Sequence, residues 1–493
     1  MLPIHRSLLL LVAAAPTLSA DPLITSWFTK NSGQYARIYT STAAQSSQTS
    51  VTTWSRGQGV QSSPVYAGVH EVSYSDSWVY IKTSGLASYV MGPWYLDSGK
   101  SMNFPNFPAN TGTIYRIPRA TTSPATKSLT GLGATGYFVN GVAMFDMRDA
   151  FSYSHSHSQD ATPTNGLTGD GIWNRDAYAN ESVTFDASYA HQAGAQYHYH
   201  ANPPGLRYQL GDHVDYNSSS NVYTESTSTP QHSPILGWSA DGYPIYGPYG
   251  YSSPMDSTSG VRRMVSGYVV RNGSNGTANL TSTGRTTLPA WAARVQGRSA
   301  NLSSSQYGPA VNSTYALGHY IEDYDYLGDL GQTQGAGVFD LDVYNGRRCV
   351  TPEYPGGTYA YFLAITSTGT PTYPYTTGRE FYGSPTAGTV TSITETVTTS
   401  FTGGPNAEIK ATSIGRDSGT GAVTITWSSV DGGTYKVEAT NDLTSTWSSL
   451  QSSVASGGIS SSYTESAASQ AGALKRFYRM SRTTLATYDT KGF

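Results

Sequence analysis

Cysteine is almost absent from this chain, which has one, Cys349, among 493 residues. A single cysteine cannot form an internal disulfide, so stability has to come from packing, hydrogen bonds or a bound metal. Charged residues are also scarce, at 12% of the chain with a net charge of −3. The sequence has no basic stripe that could follow a phosphate backbone, so we expect no nucleic-acid partner.

Long apolar segments are missing after the N-terminus. No stretch beyond residue 20 approaches the ~18 continuous apolar residues that a membrane helix needs, so we expect no integral membrane segment in the mature chain. Residues 1–20 combine a short basic start, an apolar run and small residues before Asp21. This pattern is typical of a cleaved signal peptide. The sequence therefore predicts a secreted or extracytoplasmic protein, in the periplasm or at the cell surface.

Helical periodicity is rare, and short alternating runs between Gly, Pro, Ser or Asn recur instead, which is typical of strands and turns. Residues 79–83 and 359–365 are the clearest strand candidates, the second apolar enough for a central strand. Residues 146–153 and 289–296 are the candidate short helices. We predict a mainly β fold.

Changes in composition predict the domain organisation. Residues 21–382 are expected to form one large β-rich domain. Residues 383–405 are rich in Gly, Pro, Ser and Thr, which is typical of a linker or an edge strand. Residues 406–482 carry regularly spaced strand candidates, as in a small immunoglobulin- or fibronectin-like β-sandwich, and residues 483–493 form a C-terminal tail. The sandwich contains no histidine, and we interpret it as an accessory module.

Histidines are concentrated in one part of the chain. Apart from His70, those of the mature chain fall between His155 and His319, and most lie before residue 233. Two His-x-His pairs stand out, His155/His157 and His198/His200. On a strand, residues i and i+2 share a face about 7 Å apart, so their imidazoles can converge on one ion at roughly 2.0–2.1 Å per bond.

The pair His198/His200 alternates with Tyr197 and Tyr199. We expect the tyrosines to pack into the core and the imidazoles to be presented on the other face. The alternative is a hydrogen-bonded structural pair with no metal. The pair His155/His157 is flanked by serines and has the further alternative of a mobile loop, and His232 is the candidate that would complete the ligand set.

Carboxylates and a tyrosine extend the candidate site. Asp241 is either a ligand or an acceptor that orients an imidazole, or else only the residue before Gly242 in a tight turn. Tyr243, two residues later, is a further candidate for a supporting position. Glu353, in a Pro-flanked turn, either faces the site or caps its loop.

Several segments together resemble the YHYH-domain family. The resemblance extends over roughly residues 64–376 and rests on Tyr197-His198-Tyr199-His200 and on segments 117–119, 140–145, 196–203, 232–238, 241–248, 345–347 and 351–359. The family is exported and mostly uncharacterised, so the resemblance implies an exported protein without naming a reaction. Its members often carry paired cysteines near the Asn345-Gly346-Arg347 segment, where this chain has only Cys349.

The leading functional hypothesis is a secreted metal-binding protein, to which metal-dependent hydrolytic or redox activity would be added if a coordination position stays open. An imidazole site without thiolate favours copper or zinc as the cofactor. One alternative is a metal-free hydrolase that uses His198 or His200 as a base with Asp241 or Glu353 as its partner. Another is an extracellular structural or binding protein, whose surface tyrosines stack on a carbohydrate or surface polymer. The sequence leaves open whether the protein is an enzyme.

Overall fold

The computed structural model describes residues 21–335, 337–470 and 472–492. The predicted signal peptide, residues 1–20, lies outside the described residues. The fold is mainly β, as predicted. The strands of the N-terminal part are β1 Arg37–Ile38, β2 Trp54–Arg56, β3 Gly59–Gln61, β4 Val69–Tyr74, β5 Trp78–Thr83, β6 Val90–Met91 and β7 Thr113–Pro118.

The central part of the chain contributes most of the strands. They are β8 Ala134–Phe138, β9 Ala143–Phe145, β10 Arg148–Ser154, β11 Gln159–Asp160, β12 Asn174–Asp176, β13 Ala190–Ala193, β14 Gln196–Tyr199, β15 Val214–Asn217, β16 Val222–Glu225, β17 Ile235–Ser239, β18 Pro244–Tyr246, β19 Tyr249–Ser253, β20 Asp256–Arg263, β21 Tyr268–Val270, β22 Tyr324–Tyr326, β23 Gly346–Cys349 and β24 Thr358–Phe362. The C-terminal part adds β25 Gly388–Val390, β26 Thr398–Thr402, β27 Ala411–Arg416, β28 Val423–Ser428, β29 Gly433–Thr440, β30 Ser448–Ala455, β31 Ser460–Glu465 and β32 Phe477–Leu485.

The helices are short. They are α1 Pro22–Thr25, α2 Thr42–Ser46, α3 Ala177–Glu181, α4 Pro204–Leu210, α5 Leu280–Thr283 and α6 Ala290–Gln296. Single 3₁₀ turns lie at Ser182–Thr184, Ser304–Gln306, Ile321–Asp323, Gly404–Asn406 and Ala467–Gln470. None of the helices in the described part of the chain has the length and hydropathy needed to span a bilayer.

One predicted helix is confirmed and the other is wrong. The stretch 289–296 forms α6, which starts after Pro289 and ends at Gln296, with Gly297 as its C-terminal cap. The stretch 146–153 forms β10 instead, which pairs with β11 and β12. Ala150 lies at φ +74°, a left-handed conformation that an α-helix cannot contain.

An eight-stranded sheet positions the histidine-rich segment. Its strand order is β13-β14-β9-β8-β17-β18-β24-β23, so the strand predicted at 359–365 lies inside this sheet as β24. Every residue of β17 is buried, which fits a strand covered on both faces. β13 forms one edge of the sheet, and β14 lies between β13, antiparallel, and β9, parallel.

Smaller sheets surround this one. A five-stranded sheet has the order β25-β7-β5-β4-β26, so segment 383–405 contributes a strand to each of its edges. Toward the C-terminus, two three-stranded sheets, β27-β28-β31 and β30-β29-β32, follow. They contribute Trp427 from one sheet, and Tyr435 and Val437 from the other, to one small core.

Candidate metal centre

A tight hairpin brings the first two histidines together. β13 and β14 pair antiparallel with His191 directly opposite His198, and the imidazole centroids lie 4.7 Å apart. Gly194 and Ala195 form the two-residue loop, with Gly194 at φ +60°. Glycine at the first loop position is typical of such hairpins, since it adopts positive φ without strain. The loop therefore fixes the register that places His191 beside His198.

His200 completes a triad with His191 and His198. His198 and His200 are two residues apart at the end of β14, and their Nε2 atoms are 3.0 Å apart. One ring nitrogen from each of the three histidines lies within 4.8 Å of the other two. All three side chains are buried. The imidazole face of this segment, which we expected to be presented, is therefore enclosed.

The tyrosine face of β14 packs into the core, as expected. Tyr197 and Tyr199 are fully buried. Their hydroxyls meet that of Tyr89 at 3.0 and 2.5 Å, and Tyr197 also donates to Asp186 at 2.7 Å. These hydrogen bonds hold the strand from the side opposite the histidines.

Backbone carbonyls fix the tautomers of two histidines. His198 Nδ1 lies 3.0 Å from the carbonyl oxygen of Gln196, and His200 Nδ1 lies 2.7 Å from that of Asp146. A carbonyl oxygen only accepts, so both Nδ1 atoms carry the proton and donate. When the rings are neutral, each Nε2 presents a lone pair.

A hydroxyl does the same for His191. Its Nδ1 lies 2.7 Å from Thr184 Oγ1, and that hydroxyl donates its only proton to the carbonyl oxygen of Glu181, also at 2.7 Å. Thr184 Oγ1 therefore accepts from His191 Nδ1–H. The tautomer of His191 is thus the same as those of His198 and His200.

Burial keeps these rings neutral. It lowers the pKa of His200 to about 4, and it lowers the pKa of His191 and His198 well below the ordinary value, with a further contribution from the neighbouring imidazoles. At neutral pH, two Nε2 lone pairs consequently face each other across 3.0 Å. Two acceptor atoms repel each other at this distance. Two imidazole nitrogens that bind the same ion at ~2.0–2.1 Å each, in contrast, lie about this far apart.

Glu181 supplies a carboxylate beside the triad. It is the last residue of α3, whose N-terminus is capped by Asp176 through a hydrogen bond from Ala179 N. Its Oε2 lies 3.3 Å from His200 Nε2 and 3.6 Å from His191 Nε2. This oxygen is buried and accepts no hydrogen bond from the described residues. Burial, together with the nearby Asp149 carboxylate, raises the pKa of Glu181 well above its ordinary value.

Phenylalanines enclose the three imidazoles. The Phe145 ring stacks on His198 with a centroid distance of 3.9 Å. Phe185 lies parallel to His200 at 6.0 Å, and Phe104 contacts His191 at 5.7 Å. These rings desolvate the imidazoles and restrict their orientation.

The triad lies in the wall of a pocket of about 530 Å³. Besides the three histidines, its lining includes Glu181, Thr184, Phe104 and Phe145. The triad therefore borders a cavity large enough for a small molecule.

The other predicted histidine ligands have different partners. His155 Nδ1 lies 2.5 Å from Asp170 Oδ2, and its Nε2 lies 3.0 Å from the Tyr307 carbonyl oxygen. His157 is exposed and contacts the hydroxyl of Ser156 through Nδ1 at 2.9 Å. In the described part of the chain, neither belongs to the group that contains His198 and His200.

His232 is also outside that group of described residues. Its Nδ1 donates to the Ser233 carbonyl oxygen at 2.8 Å, and its ring packs against Tyr246 and Tyr251.

The predicted carboxylates contact tyrosines. Asp241 accepts hydrogen bonds from Tyr361 Oη at 2.6 Å and from Gly383 N at 2.8 Å. Glu353 accepts one from Tyr246 Oη at 2.8 Å. Both contacts join segments of the fold that are distant in sequence.

Tyr243 packs with its ring edge-on to two stacked tyrosines, Tyr359 and Tyr382. It therefore belongs to an aromatic cluster near the Asp241 turn.

Sequence reasoning placed neither His191 nor Glu181 in the site. A signal for His191 was present, because Gly194-Ala195 between two alternating runs predicts a two-residue hairpin, and the pairing then sets His191 opposite His198. Glu181 gives no such signal, because it reaches the site from the end of a five-residue helix.

Comparison with known proteins gives one match. Neither the curated proteins nor the solved structures contain a significant match to the chain. The family described as YHYH protein matches residues 113–376. The resemblance was expected over residues 64–376, so the match has the expected end but a later start. The match contains β7 through β24, including the hairpin, the triad and Glu181. Because it covers more than half of the 493 residues, the chain belongs to the YHYH protein family.

Proposed function

We propose that this protein binds one divalent metal ion, zinc or copper, through Nε2 of His191, His198 and His200, with the Glu181 carboxylate as a fourth ligand. The observation that carries the proposal is the shared tautomer. All three Nδ1 atoms donate to fixed acceptors, so all three Nε2 lone pairs are left for a cation.

The surroundings support a resident ion. Metal-binding histidines commonly donate their other ring nitrogen to a carbonyl or a similar acceptor, which orients the ring and raises its basicity. The unpartnered Glu181 Oε2 lies at distances of 3.3 and 3.6 Å from two of the Nε2 atoms, and an ion would remove the cost of its burial.

The choice of metal follows from the donor atoms. Three imidazoles with one carboxylate and no thiolate suit zinc or copper(II) better than calcium, magnesium or an iron–sulfur cluster. Four protein ligands would fill a tetrahedral site, so a water could bind only in a fifth position, where the ion would act as a Lewis acid and lower the pKa of that water. Hydrolysis is therefore the first activity to test.

Elemental analysis of untagged full-length protein tests the proposal. We expect about one zinc or copper per chain, as for a single four-ligand site, and loss of that metal in the double variant His198→Ala/His200→Ala. His157→Ala is the matched control, since this exposed histidine also belongs to a His-x-His pair. Protein that purifies without metal, and whose melting temperature does not change with added zinc or copper, contradicts the proposal.

We also propose that the protein is exported, on the strength of the signal-peptide pattern in residues 1–20. Intact-mass measurement of the protein from the extracytoplasmic fraction should give a chain that begins at Asp21. A full-length chain retained in the cytoplasm would rule this out.

A further inference from the structure

The pocket that contains the triad has an apolar side. Leu96 and Leu132 line it and are 45% and 59% exposed. Pro105, Pro163 and the partly buried Phe145 line it as well. Exposed leucines gathered in one concave site favour covering by an apolar ligand, because removing their surface from water is favourable.

The basic residues of this lining are already paired. Arg148 forms a two-point contact with Asp146, Nε to Oδ1 at 2.8 Å and Nη2 to Oδ2 at 3.2 Å. Arg175 Nε lies 2.9 Å from Asp149 Oδ2. Each arginine of the lining already has a carboxylate partner, so an incoming anion would find its counter-charge in the proposed metal and not in these side chains.

The dimensions of the pocket suit a small molecule. Its volume of about 530 Å³ lies within the roughly 300–1,000 Å³ of small-ligand sites. Phe145 belongs both to the pocket lining and to the stack on His198. A ligand that covers the apolar side is consequently within reach of the triad.

We infer that the ligand of this centre is an uncharged molecule with an apolar body, which lies against Leu96, Leu132 and Phe145 and presents one oxygen or nitrogen atom to the metal. This inference rests on the proposed metal site. It adds the chemical class of the molecule that the site binds, and it predicts that an apolar group contributes more to binding than an added anionic group.

Cobalt-substituted full-length protein provides the test, because the visible absorption of Co(II) changes when a ligand joins its coordination sphere. Three probes are titrated: imidazole, 4-phenylimidazole and 4-(4-carboxyphenyl)imidazole, whose carboxylate is too far from the ring nitrogen to chelate the same metal ion. Burial of the phenyl group predicts that 4-phenylimidazole binds at least about tenfold more tightly than imidazole. We expect the carboxyphenyl probe to bind more weakly than 4-phenylimidazole.

Variants locate the apolar contact. Leu132→Ser and Leu96→Ser should each weaken 4-phenylimidazole binding by about threefold to tenfold and leave imidazole binding unchanged. Met255→Ser is the matched control, because Met255 is 60% exposed and does not line the pocket. All three positions are exposed, so cobalt content should stay at the wild-type level.

Two failures are distinguishable. If the protein retains cobalt but binds the three probes equally, or if the leucine variants behave like Met255→Ser, the apolar ligand is ruled out and the metal site stands. If the protein retains no cobalt, zinc or copper, the metal site fails and the inference fails with it.

Discussion

His198 Nε2 and His200 Nε2 lie 3.0 Å apart, although the Nδ1 atom of each ring donates to a backbone carbonyl. This pair of facing acceptors lies between the hydrogen-bonded tyrosines of β14 and a pocket large enough for a small molecule.

His191 should be as important for metal binding as the two histidines of the family motif. Replacing it with alanine removes one of three imidazole ligands, and we expect metal to be lost on dialysis. Isothermal titration of the metal-free protein measures the affinity. His191→Ala protein that binds zinc or copper as wild type does would remove this residue from the site.

Thr184 should act on the metal through His191. Thr184→Val removes the acceptor for His191 Nδ1–H, and loss of such a partner commonly lowers metal affinity by about 10–100-fold. Thr184→Ser keeps the hydroxyl and is the control, with affinity close to wild type. Equal affinities in the valine and serine variants would mean that the hydroxyl does not orient His191.

Tyr89 should support the hairpin from the side opposite the metal. Tyr89→Phe removes the hydroxyl that meets both Tyr197 and Tyr199, at a cost of about 1–2 kcal/mol in the free energy of unfolding. Metal content should not change. Urea unfolding measures the cost, and Tyr208→Phe, at a tyrosine 46% exposed, is the control with a smaller effect. An unchanged unfolding free energy in Tyr89→Phe would contradict this role.

Arg207 should be essential for the stability of the segment that follows the hairpin. Its buried guanidinium contacts Asp212, with Nε 2.7 Å from Oδ2, and Glu225. Arg207→Met leaves two buried carboxylates without their cation, so we expect a loss of about 3–5 kcal/mol in the free energy of unfolding. Lys410→Met is the control. It breaks the exposed ion pair with Glu408 and should change the free energy of unfolding by less than about 1 kcal/mol. Similar losses in the two variants would contradict the difference in burial.

His70 should make the protein less stable in acid. Its Nε2 lies 2.7 Å from the Tyr66 carbonyl oxygen, and burial lowers the pKa of His70 to about 3. The unfolded chain binds a proton at this residue below about pH 6.5, while the folded chain stays neutral, so the free energy of unfolding falls as the pH drops from 6.5 toward 3.

A comparison of unfolding at pH 7 and pH 5 isolates this contribution. His70→Gln keeps a donor for the carbonyl but does not titrate, and it should reduce the loss of stability between the two pH values by up to about 2 kcal/mol. If the pH dependence of the variant equals that of the wild type, His70 is not its source.

Much of the site's frame was predictable from the sequence. Alternation in Tyr197-His198-Tyr199-His200 predicts one tyrosine face and one histidine face, and both are present in β14 with His200, the residue that follows it. The mainly β class follows from the same kind of pattern. Burial of the histidine face was not predictable, because it depends on Phe104, Phe145 and Phe185, which reach the triad from other parts of the chain.

Proximity in sequence was a poor guide to the rest of the site. His155 and His157 form an equally regular pair, yet the structure gives them Asp170 and Ser156 as partners. Their role as ligands stays a prediction. Glu181 reaches the site because α3 ends there, and a five-residue helix leaves no periodic pattern in the sequence.

The alternation in β14 has a consequence for how the protein matures. β14 is also held by β9, so a slip of one residue in the pairing of β13 with β14 would turn the side chain of His191 to the tyrosine face of β14, away from His198 and His200. Such a chain could still be compact and rich in strands, but it would lack the three converging nitrogens. The fraction of chains that carry metal would therefore equal the fraction whose hairpin has formed in the native register.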